Sequence, residues 1–510
     1  MAKLVSGLRE SAMSDVQVRA AQAASGFNQL GVEEGDAVAL LIRNDFAFFE
    51  AAIGAALLGA YAVPVNWHFR VDEVRYILED SGARVLVVHA DLLHSVQKGF
   101  PENLEILVVP TPTEISESYQ IDSAACIVPD GHIDWNIWLA EQQVWNTAAK
   151  PKRNNVIYTS GTTGKPKGVM RMPETPETTM ATVNVVRGVF GIEKGTLIRT
   201  VLTGPIYHSA PNAYALASAA SGGDVILQPR FDPEELLSLI EQYSVTHLHM
   251  VPTMFVRLLK LPEAVRSKYD LSSLEFVVHA AAPCPPDVKR AMIEWWGPVI
   301  NEYYGGTETG PVVFHNSEQA LSKPGTVGQK IVGIELKVIG SDGRECAAGE
   351  AGELFMVNRG YSDFTYKNQE QKRQEIDRSG LLTIGDIGYM DEDGYLFICD
   401  RARDMVISGG VNIYPAEIEG VLLGMSGVKD CAVFGIPSEE FGESLCAHVD
   451  VDPNAITEAG QVRDWLVQRI AKYKVPRIIV FDNQLPREDS GKIMKRKIRD
   501  TYWRETTRAI

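Results

Sequence analysis

Apolar and polar positions follow a regular order through the first 150 residues of the chain. The helical spacing of apolar residues from Val16 to Leu30 predicts a helix that stops at Gly31. Short apolar runs follow over residues 37–42 and 85–89. They lack the alternation of a half-exposed strand, which is typical of strands covered on both faces, as in a parallel sheet. The start of the chain therefore predicts alternating helices and buried strands.

The same pattern continues to about residue 330. The longest apolar stretch, over residues 48–65, is interrupted by Glu50 and Pro64. Because a membrane span needs about 20 predominantly apolar residues, we interpret it as a buried helix that leads into a strand and predict no transmembrane segment. Strand-like runs separated by helical patterns predict a large α/β body of doubly wound sheets. These runs cover residues 224–227, 274–278 and 298–300.

The pattern changes twice in the rest of the chain. Apolar runs over residues 331–339 and 353–357, between glycine-containing turns, predict a small antiparallel, barrel-like β unit. Beyond residue 400 the pattern predicts a small α+β unit that precedes a basic tail. Its elements are a helix over 415–423, a strand over 430–434 and a helix over 462–470.

Composition and charge narrow the functional classes. The chain has 510 residues, 45% of them hydrophobic, which is ample for a large core. Its net charge of −17 argues against broad binding to nucleic acid, because such binding relies on Lys and Arg to neutralise phosphates. Six scattered cysteines and an N-terminus without an apolar signal segment predict a cytoplasmic protein.

The most informative stretch is residues 158–170, Tyr-Thr-Ser-Gly-Thr-Thr-Gly-Lys-Pro-Lys-Gly-Val-Met. Its glycines let the backbone approach an anion closely. Backbone N–H groups, hydroxyls and two ammonium groups then supply the donors that phosphate oxygens need. A flexible surface loop is the alternative. The apolar pair Val156–Ile157 directly before it favours a phosphate-binding loop that follows a strand. The spacing of a Walker A motif is absent.

This stretch resembles the signature of the adenylate-forming (ANL) superfamily, and four further motifs agree with it in order. The superfamily contains acyl-CoA synthetases, aryl-CoA ligases, luciferases and peptide-synthetase adenylation domains. The resemblance covers nearly the whole chain. The four motifs are Tyr-Gly-Gly-Thr-Glu at 304–308, Gly-Asp at 385–386, Asp-Arg-Ala-Arg-Asp at 400–404 leading into Ser-Gly-Gly at 408–410, and Pro-Arg-Glu-Asp-Ser-Gly-Lys at 486–492.

The resemblance implies a two-step reaction of a carboxylic acid with ATP and CoA. In the first step the acid is joined to AMP and pyrophosphate is released, which requires positioning and charge neutralisation more than a nucleophilic side chain. Lys492 would bridge the substrate carboxylate and the α-phosphate. Glu308 would orient Mg²⁺, and Thr307 would contact the α-phosphate.

The nucleotide would be held by residues from several motifs. The glycine-rich loop and Lys167 would hold the β- and γ-phosphates, Tyr304 would stack on adenine, and Asp386 would hold the ribose with help from Arg401. The complete implied set is Thr159, Ser160, Gly161, Thr162, Thr163, Gly164, Lys167, Ala281, Ala282, Pro283, Glu302, Tyr304, Gly305, Asp386 and Arg401.

The second step, in the family, follows a rotation of the C-terminal domain. We therefore predict an adenylation domain over residues 1–399, a hinge over 400–404 with Arg403 at the pivot, and a mobile domain over 405–510. The rotation would withdraw Lys492 and bring a CoA-binding segment to the acyl-adenylate. That segment consists of Ser408, Gly409 and Gly410.

The family position beside the acyl entrance is occupied by His208. The expected lining contains small residues and no fixed positive charge, which favours a neutral, apolar acid. A medium- or long-chain fatty acid or a bulky ring acid would fit, and an arylpropenoic acid remains an alternative. The other lining residues are Tyr207, Asn212, His279, Ala280, Gly306 and Gly310. We interpret His247 and His249, which lack a motif, as structural.

Some positions depart from the family pattern. Ile384 stands where a threonine is usual, Val411 where Glu or Arg is common, and Ala280 where the adenine loop usually begins with glycine. The N-terminus is short, and we expect it to lack the β-hairpin that often opens the fold. None of these departures removes a charged catalytic group, so they affect substrate and nucleotide contacts rather than the reaction class.

Three other activities compete with a CoA ligase. An acyl-AMP ligase would use another acceptor, but we find no added segment of the kind that blocks CoA use. A luciferase-type oxygenase would share the motifs. A non-catalytic nucleotide sensor should have lost Lys492 or Glu308, and both are present. Contact between the basic tail and the CoA phosphates and assembly as a homodimer are both left open.

Overall fold

The computed structural model describes residues 2–159, 166–193, 195–408, 411–438, 440–456, 458–487 and 493–503. It shows a mixed α/β architecture with a large N-terminal body and a smaller C-terminal unit, as predicted. No helix within these ranges has the length and apolar character that crossing a membrane requires.

The first 140 residues build a parallel sheet that helices cover. The elements are β1 (Lys3–Ser6), β2 (Arg9–Ala12), α1 (Met13–Gln29), β3 (Ala37–Leu41), α2 (Phe46–Leu57), β4 (Tyr61–Pro64), α3 (Val71–Ser81), β5 (Ala83–His89), α4 (Ala90–Val96), β6 (Glu105–Val109), α5 (Thr113–Tyr119), β7 (Ile133–Asp134) and α6 (Trp135–Ala140). The strands of this sheet follow the order β4-β3-β5-β6-β7, and every neighbouring pair is parallel. The predicted helix, buried strands and helix leading into a strand are all present.

Residues 199–330 form the parallel half of a second, larger sheet together with an antiparallel extension, whereas the two strands over 157–159 and 167–171 before them pair with each other in a small separate sheet. The elements are β8 (Ile157–Thr159), β9 (Lys167–Arg171), α7 (Pro176–Phe190), β10 (Arg199–Leu202), α8 (Ser209–Ala220), β11 (Asp224–Leu227), α9 (Pro233–Tyr243), β12 (His247–Met250), α10 (Pro252–Leu259), α11 (Glu263–Arg266), β13 (Phe276–His279), α12 (Pro286–Trp296), β14 (Ile300–Gly306), β15 (Gly310–His315), α13 (Ser317–Ser322) and β16 (Gly328–Lys330).

The predicted antiparallel unit is hydrogen-bonded in continuity with this sheet. The elements of the unit are β17 (Ile334–Ile339), β18 (Gly352–Asn358), β19 (Phe364–Tyr366), α14 (Glu370–Glu375), β20 (Asp377–Arg378), β21 (Leu381–Leu382), β22 (Asp386–Met390) and β23 (Tyr395–Arg401). The strand order runs β11-β10-β12-β13-β14-β15-β16 and continues into β23, β22 and β18. The end of β14 thus lies where the parallel and antiparallel parts meet.

The C-terminal unit has its own sheet and its own apolar core. The predicted helix over 415–423 is present at those bounds, and the predicted strand over 430–434 is longer than expected. The elements are β24 (Val406–Ser408), β25 (Val411–Ile413), α15 (Pro415–Leu423), β26 (Val428–Ser438), β27 (Gly442–Val451), α16 (Ala459–Val467), β28 (Ile478–Phe481) and α17 (Lys495–Trp503).

The expectation that the chain lacks an opening hairpin is wrong. Strands β1 and β2 pair in antiparallel register on either side of a turn, and β1 also pairs in parallel with β11. Both strands are only four residues long, and β2 carries Arg9 and Glu10. Because this local pattern is short and partly polar, it gives little sequence signal, and the partner that stabilises the hairpin lies more than 200 residues away.

Candidate active site

The glycine-rich motif connects the two strands of an antiparallel hairpin. Thr159, the last residue of β8, pairs with Lys167, the first residue of β9. The chain therefore leaves this small sheet and returns to it at neighbouring positions. On its other side β9 pairs with β19. The hairpin therefore anchors both ends of the candidate phosphate loop. Ser160, Gly161, Thr162, Thr163 and Gly164 lie outside the described residues.

A polar chain links the end of β14 to the start of β22. The hydroxyl of Tyr304 donates a 2.6 Å hydrogen bond to Oδ2 of Asp386. Nε of Arg401 lies 3.2 Å from the other carboxylate oxygen. Burial, together with the neighbouring Asp386 carboxylate, raises the pKa of Tyr304 well above its usual value, so the phenol stays protonated and remains a donor. The predicted adenine and ribose residues are therefore direct neighbours.

A second polar chain joins Lys167 to Glu308. The hydroxyl of Tyr366 donates a 3.0 Å hydrogen bond to Oε1 of Glu308. Nζ of Lys167 lies 4.9 Å from the centre of the Tyr366 ring, within range of a cation–π contact. Burial lowers the pKa of Lys167, with a further contribution from the positive charge of Lys372. The structure thus brings the predicted phosphate and Mg²⁺ residues to one place.

Thr307 and Glu308 lie on the tight turn between β14 and β15. A Cβ atom at Gly305 would collide with the carbonyl group of Gly310, so only glycine fits there. Oγ1 of Thr309 accepts a 2.9 Å hydrogen bond from the amide of Gly306, which closes the turn. Ile384 lies next to Gly306, so an apolar contact occupies the position where the family usually has a hydroxyl.

The predicted adenine loop follows β13 directly and contains a strained residue. Ala281 adopts a φ of 74°, in the left-handed region that favours glycine. Such a conformation in an alanine costs of order 1–3 kcal/mol and is concentrated at functional sites. Ala280 is buried, whereas Ala281 and Pro283 are exposed and Ala282 is half-buried. The loop leaves β13, the parallel neighbour of the strand that carries Tyr304, and its predicted contact with adenine stays a prediction.

Glu302 and His279 lie outside this group of polar residues. Neighbouring strands align His279, Glu302 and His315 across the sheet, and Lys289 of α12 covers them. Glu302 is 3% exposed, accepts a 2.8 Å hydrogen bond from Nε2 of His315 and forms an ion pair with Lys289. The ring of His279 is 0% exposed. Their predicted contacts with the nucleotide and the acyl group stay predictions.

Aromatic and amide side chains surround the predicted acyl entrance. The ring of Tyr207 packs edge-on against Trp67 at a centroid distance of 4.6 Å, and it lies tilted against the ring of His208 at 4.4 Å. Asn212 is buried, donates to the carbonyl oxygen of Ile206 and accepts from Asn155. Trp67 carries no sequence signal for this place, because its contact with Tyr207 spans 140 positions.

The two histidines interpreted as structural are buried in β12. His247 contacts Oγ1 of Thr246 at 2.8 Å and the carbonyl oxygen of Gly191 at 3.1 Å. Nε2 of His249 lies 3.1 Å from the hydroxyl of Tyr303, within an aromatic cluster. This packing accounts for both residues without a ligand.

The burial of His249 predicts a pH dependence of stability. Burial lowers its pKa from 6.5 to about 4. Between these values the unfolded chain holds a proton that the folded chain lacks, so stability is full above pH 6.5 and falls as the pH drops towards 4, by up to about 3 kcal/mol. Urea unfolding at pH 7 and pH 5 should therefore show that the free energy of unfolding falls less between these pH values in His249→Gln than in the wild type. The exposed His94→Gln variant is the control, and an equal loss in all three proteins would contradict the prediction.

The junction with the C-terminal unit contains several polar contacts. Asp400 accepts a 2.8 Å hydrogen bond from the amide of Ala416, at the start of α15. Nη1 of Arg499 donates to the carbonyl oxygen of Arg403 at 3.3 Å. Ser408 ends β24 and pairs with Val411, the other departure from the family pattern. Gly409, Gly410 and Lys492 lie outside the described residues.

Comparison with known protein families identifies both parts of the chain. The model of the AMP-binding enzyme family matches residues 4–362, and the model of the AMP-binding enzyme C-terminal domain matches residues 417–492. The chain belongs to the AMP-binding enzyme family. The predicted membership of the adenylate-forming superfamily is therefore confirmed.

Individual members of the AMP-binding enzyme family align with almost the whole chain. A feruloyl-CoA synthase of Amycolatopsis is 32% identical over 96% of this chain and 93% of its own length. A long-chain-fatty-acid–CoA ligase of Mycobacterium tuberculosis is 32% identical over 93% of this chain and 89% of its own length. The crystal structure of the anthranilate CoA ligase AuaEII in complex with anthranoyl-AMP superposes with a TM-score of 0.84, at 26% identity over 98% of this chain and 94% of that one.

Proposed function

We propose that the protein is an AMP-forming acyl-CoA synthetase that activates a neutral, hydrophobic carboxylic acid. One observation supports this most: a single site contains the Tyr304–Asp386 chain, suited to a nucleoside, next to Lys167 and Glu308, suited to its phosphates. The names of the relatives, a feruloyl-CoA synthase and a long-chain-fatty-acid–CoA ligase, also support activation of a hydrophobic acid with CoA as acceptor.

In the first step an oxygen of the acid attacks the α-phosphorus of ATP. The bond from that phosphorus to the bridging oxygen of the β-phosphate breaks, and pyrophosphate leaves. Lys492 neutralises the charge that builds up as two anions meet, and Thr307 orients the α-phosphate. In the second step the sulfur of CoA attacks the acyl carbon, AMP leaves, and the thiol proton passes to solvent. Asp386 and Arg401 hold the ribose throughout.

The residues present also fit Mg²⁺. This ion is usually held by one or two carboxylates together with substrate phosphates, and Glu308 supplies such a carboxylate near Lys167. The Tyr366 hydroxyl binds only one of its oxygens, Oε1. When bound, Mg²⁺ would neutralise charge on the phosphates.

We assign the change between the two steps to the hinge at residues 400–404. The adenylation domain would extend over residues 1–399 and the mobile domain over 405–510. Rotation about Arg403 would have to break the contacts that cross the junction, among them single hydrogen bonds of Arg403 with Arg499, of Asp400 with Ala416 and of Lys260 with Lys429. Because such a bond contributes only about 1 kcal/mol, the two arrangements can exchange during turnover. The Ser408–Gly410 segment would then reach the acyl-adenylate.

The proposed acid is hydrophobic because the described side chains at the acyl entrance are aromatic, small or amide groups, and none of them carries a fixed charge. Tyr207 and Trp67 present ring surfaces, and Gly306 and Gly310 pack closely against the apolar atoms of Ile384 and the ring of Tyr361. An amino acid or a dicarboxylate would need a charged partner, which none of these residues supplies. An arylpropenoic acid is the second candidate, favoured by the edge-on aromatic pair and the likeness to a feruloyl-CoA synthase.

Incubation with ATP, Mg²⁺ and a panel of acids, with and without CoA, tests the function. The panel extends from acetate to long fatty acids and includes benzoate, cinnamate, ferulate and a ring-fused acid. We expect release of pyrophosphate and a CoA-dependent thioester, both followed by mass spectrometry. Pyrophosphate without a thioester would indicate an acyl-AMP ligase, and luminescence with oxygen would indicate an oxygenase. No pyrophosphate with any acid would contradict the proposal.

Asp386→Asn should weaken ATP binding more than it slows the chemistry. The substitution keeps the shape of the side chain but removes the charge that pairs with Arg401 and would accept hydrogen bonds from the ribose. A hydrogen bond to a charged group is worth about 1.5–3 kcal/mol, so the KM for ATP should rise by about 10- to 100-fold, with a smaller change in kcat. Asp393→Asn is the control, because this exposed carboxylate lies on the turn between β22 and β23. An unchanged KM would remove Asp386 from the nucleotide site.

A further inference from the structure

Arg171, the last residue of β9, is buried directly behind the candidate active site. It follows Lys167 by four positions and is 8% exposed. An arginine is rarely buried to this extent unless it has a partner. No carboxylate in the described part of the chain forms an ion pair with it, so its partners are of another kind.

Those partners are backbone carbonyl groups of two separate loops. Nη2 of Arg171 donates to the carbonyl oxygens of Thr307 at 2.8 Å and of Glu308 at 2.9 Å. Nη1 donates to the carbonyl oxygen of Ser362 at 2.8 Å. A guanidinium group has planar donors in a fixed fork, so it can fix several acceptors at once. It thus ties the Thr307–Glu308 turn to the strand that carries Lys167.

The guanidinium is itself held in place. Its central carbon lies 4.9 Å from the centre of the Tyr361 ring and 6.0 Å from that of Phe364. Burial lowers the pKa of Arg171, but the group stays protonated because its ordinary pKa is above 12. A charge buried without a paired carboxylate is screened less than a surface charge. It therefore adds positive potential beneath the turn where phosphates are expected.

We propose that Arg171 is a positioning residue for the adenylation step. It fixes the turn so that Thr307 and Glu308 face the α-phosphate and the metal before ATP arrives, and the reaction need not reorganise them. This inference rests on the proposed function, because the roles of Thr307 and Glu308 do. Nothing in it requires Arg171 to contact the substrate, and the CoA step does not depend on it.

Two variants and a matched control test this role. Arg171→Met removes the donors and the charge, whereas Arg171→Lys keeps the charge but cannot reproduce the fork. Arg43→Met is the control: Arg43 is about equally buried, at 6% exposure, but its Nη1 donates to both carboxylate oxygens of Asp91, away from the turn. For each protein we would measure thermal stability, ATP–pyrophosphate exchange, and thioester formation from a synthetic acyl-adenylate and CoA.

We expect Arg171→Met to lower the kcat of exchange by about 10- to 100-fold, since a misplacement of about 1 Å can have an effect of that size. Arg171→Lys should recover part of this loss, and neither should change thioester formation from the adenylate more than about threefold. Arg43→Met should lower the thermal stability, but the ratio between the rates of the two half-reactions should stay at its wild-type value. If Arg171→Met does not fold, the rate of exchange in Arg171→Lys decides whether the inference holds.

Either of two results would overturn the inference. One is ATP–pyrophosphate exchange at the wild-type rate in Arg171→Met. If that variant cannot be purified, exchange at the wild-type rate in Arg171→Lys counts in its place. The other is an equal fall of both half-reactions in the Arg171 variants. Failure of the proposed function is a different outcome, because the wild-type protein would then release no pyrophosphate with any acid.

Discussion

Replacing Lys492 by alanine is expected to lower the rate of acyl-adenylate formation by about 100- to 1000-fold. Loss of one group that stabilises charge in a transition state typically has an effect of this size. The charge in question develops between the carboxylate and the α-phosphate, where the family motif places this lysine. ATP–pyrophosphate exchange measures the step directly, and the KM for ATP should change much less than kcat.

The control for this variant is Lys497→Ala, an exposed lysine five positions further along the same basic tail. We expect it to exchange pyrophosphate at the wild-type rate. Thioester formation from a synthetic acyl-adenylate should survive in Lys492→Ala, because the predicted rotation withdraws Lys492 before the CoA step. If the rates of both half-reactions fall together, the lysine stabilises the C-terminal domain rather than acting in the first step. Unchanged exchange would show that the motif has another role.

Replacing Lys289 by methionine is expected to destabilise the N-terminal body by about 3–5 kcal/mol, the usual effect of leaving one charge of a buried pair alone. Lys289 is 4% exposed and pairs with Glu302, which is equally buried. Burial raises the pKa of Glu302, but Lys289, His279 and His315 outweigh this effect and lower it to about 2. Without Lys289 the carboxylate would lose the largest of these favourable contributions.

Urea unfolding at pH 7 would measure this loss, and a second substitution would identify its cause. In the double variant Lys289→Met, Glu302→Gln the lone charge is removed, so we expect it to recover part of the stability that Lys289→Met loses. Arg290→Met, an exposed cation on the same helix, is the control. If Lys289→Met unfolds like the wild type, the ion pair carries no net stability.

Local patterns predicted the elements, whereas the contacts of the site depended on distant residues. The strand over 224–227 and the helix over 415–423 are present at the predicted bounds, because a short apolar run and a helical repeat are properties of neighbouring residues. The motifs predicted the residues that meet around the turn at 307–308. Tyr366 and Arg171 were missed, since their contacts with Glu308 span 58 and 137 positions.

The side-chain partners of Glu302 could not be read from the motif that follows it. It lies two positions before Tyr304, and the resemblance implied that it contacts the nucleotide. The structure pairs its side chain with Lys289 and His315 beneath α12. Its contact with the nucleotide stays a prediction, whereas these two partners could not be predicted, because they come from a neighbouring strand and a covering helix. These partners can be identified only in the folded structure, where the strands and the helix are packed together.

The opening hairpin has a consequence for how the chain folds. Strand β1 is synthesised well before β11, and the amide of Lys3 donates to Asp224, 221 positions later. At about 5–20 residues per second, synthesis of the intervening chain takes tens of seconds or less, during which β1 has no partner in this sheet. Contacts across such a separation also form slowly after synthesis. The edge of the larger sheet is therefore completed late, by a strand made more than 200 residues before its partner.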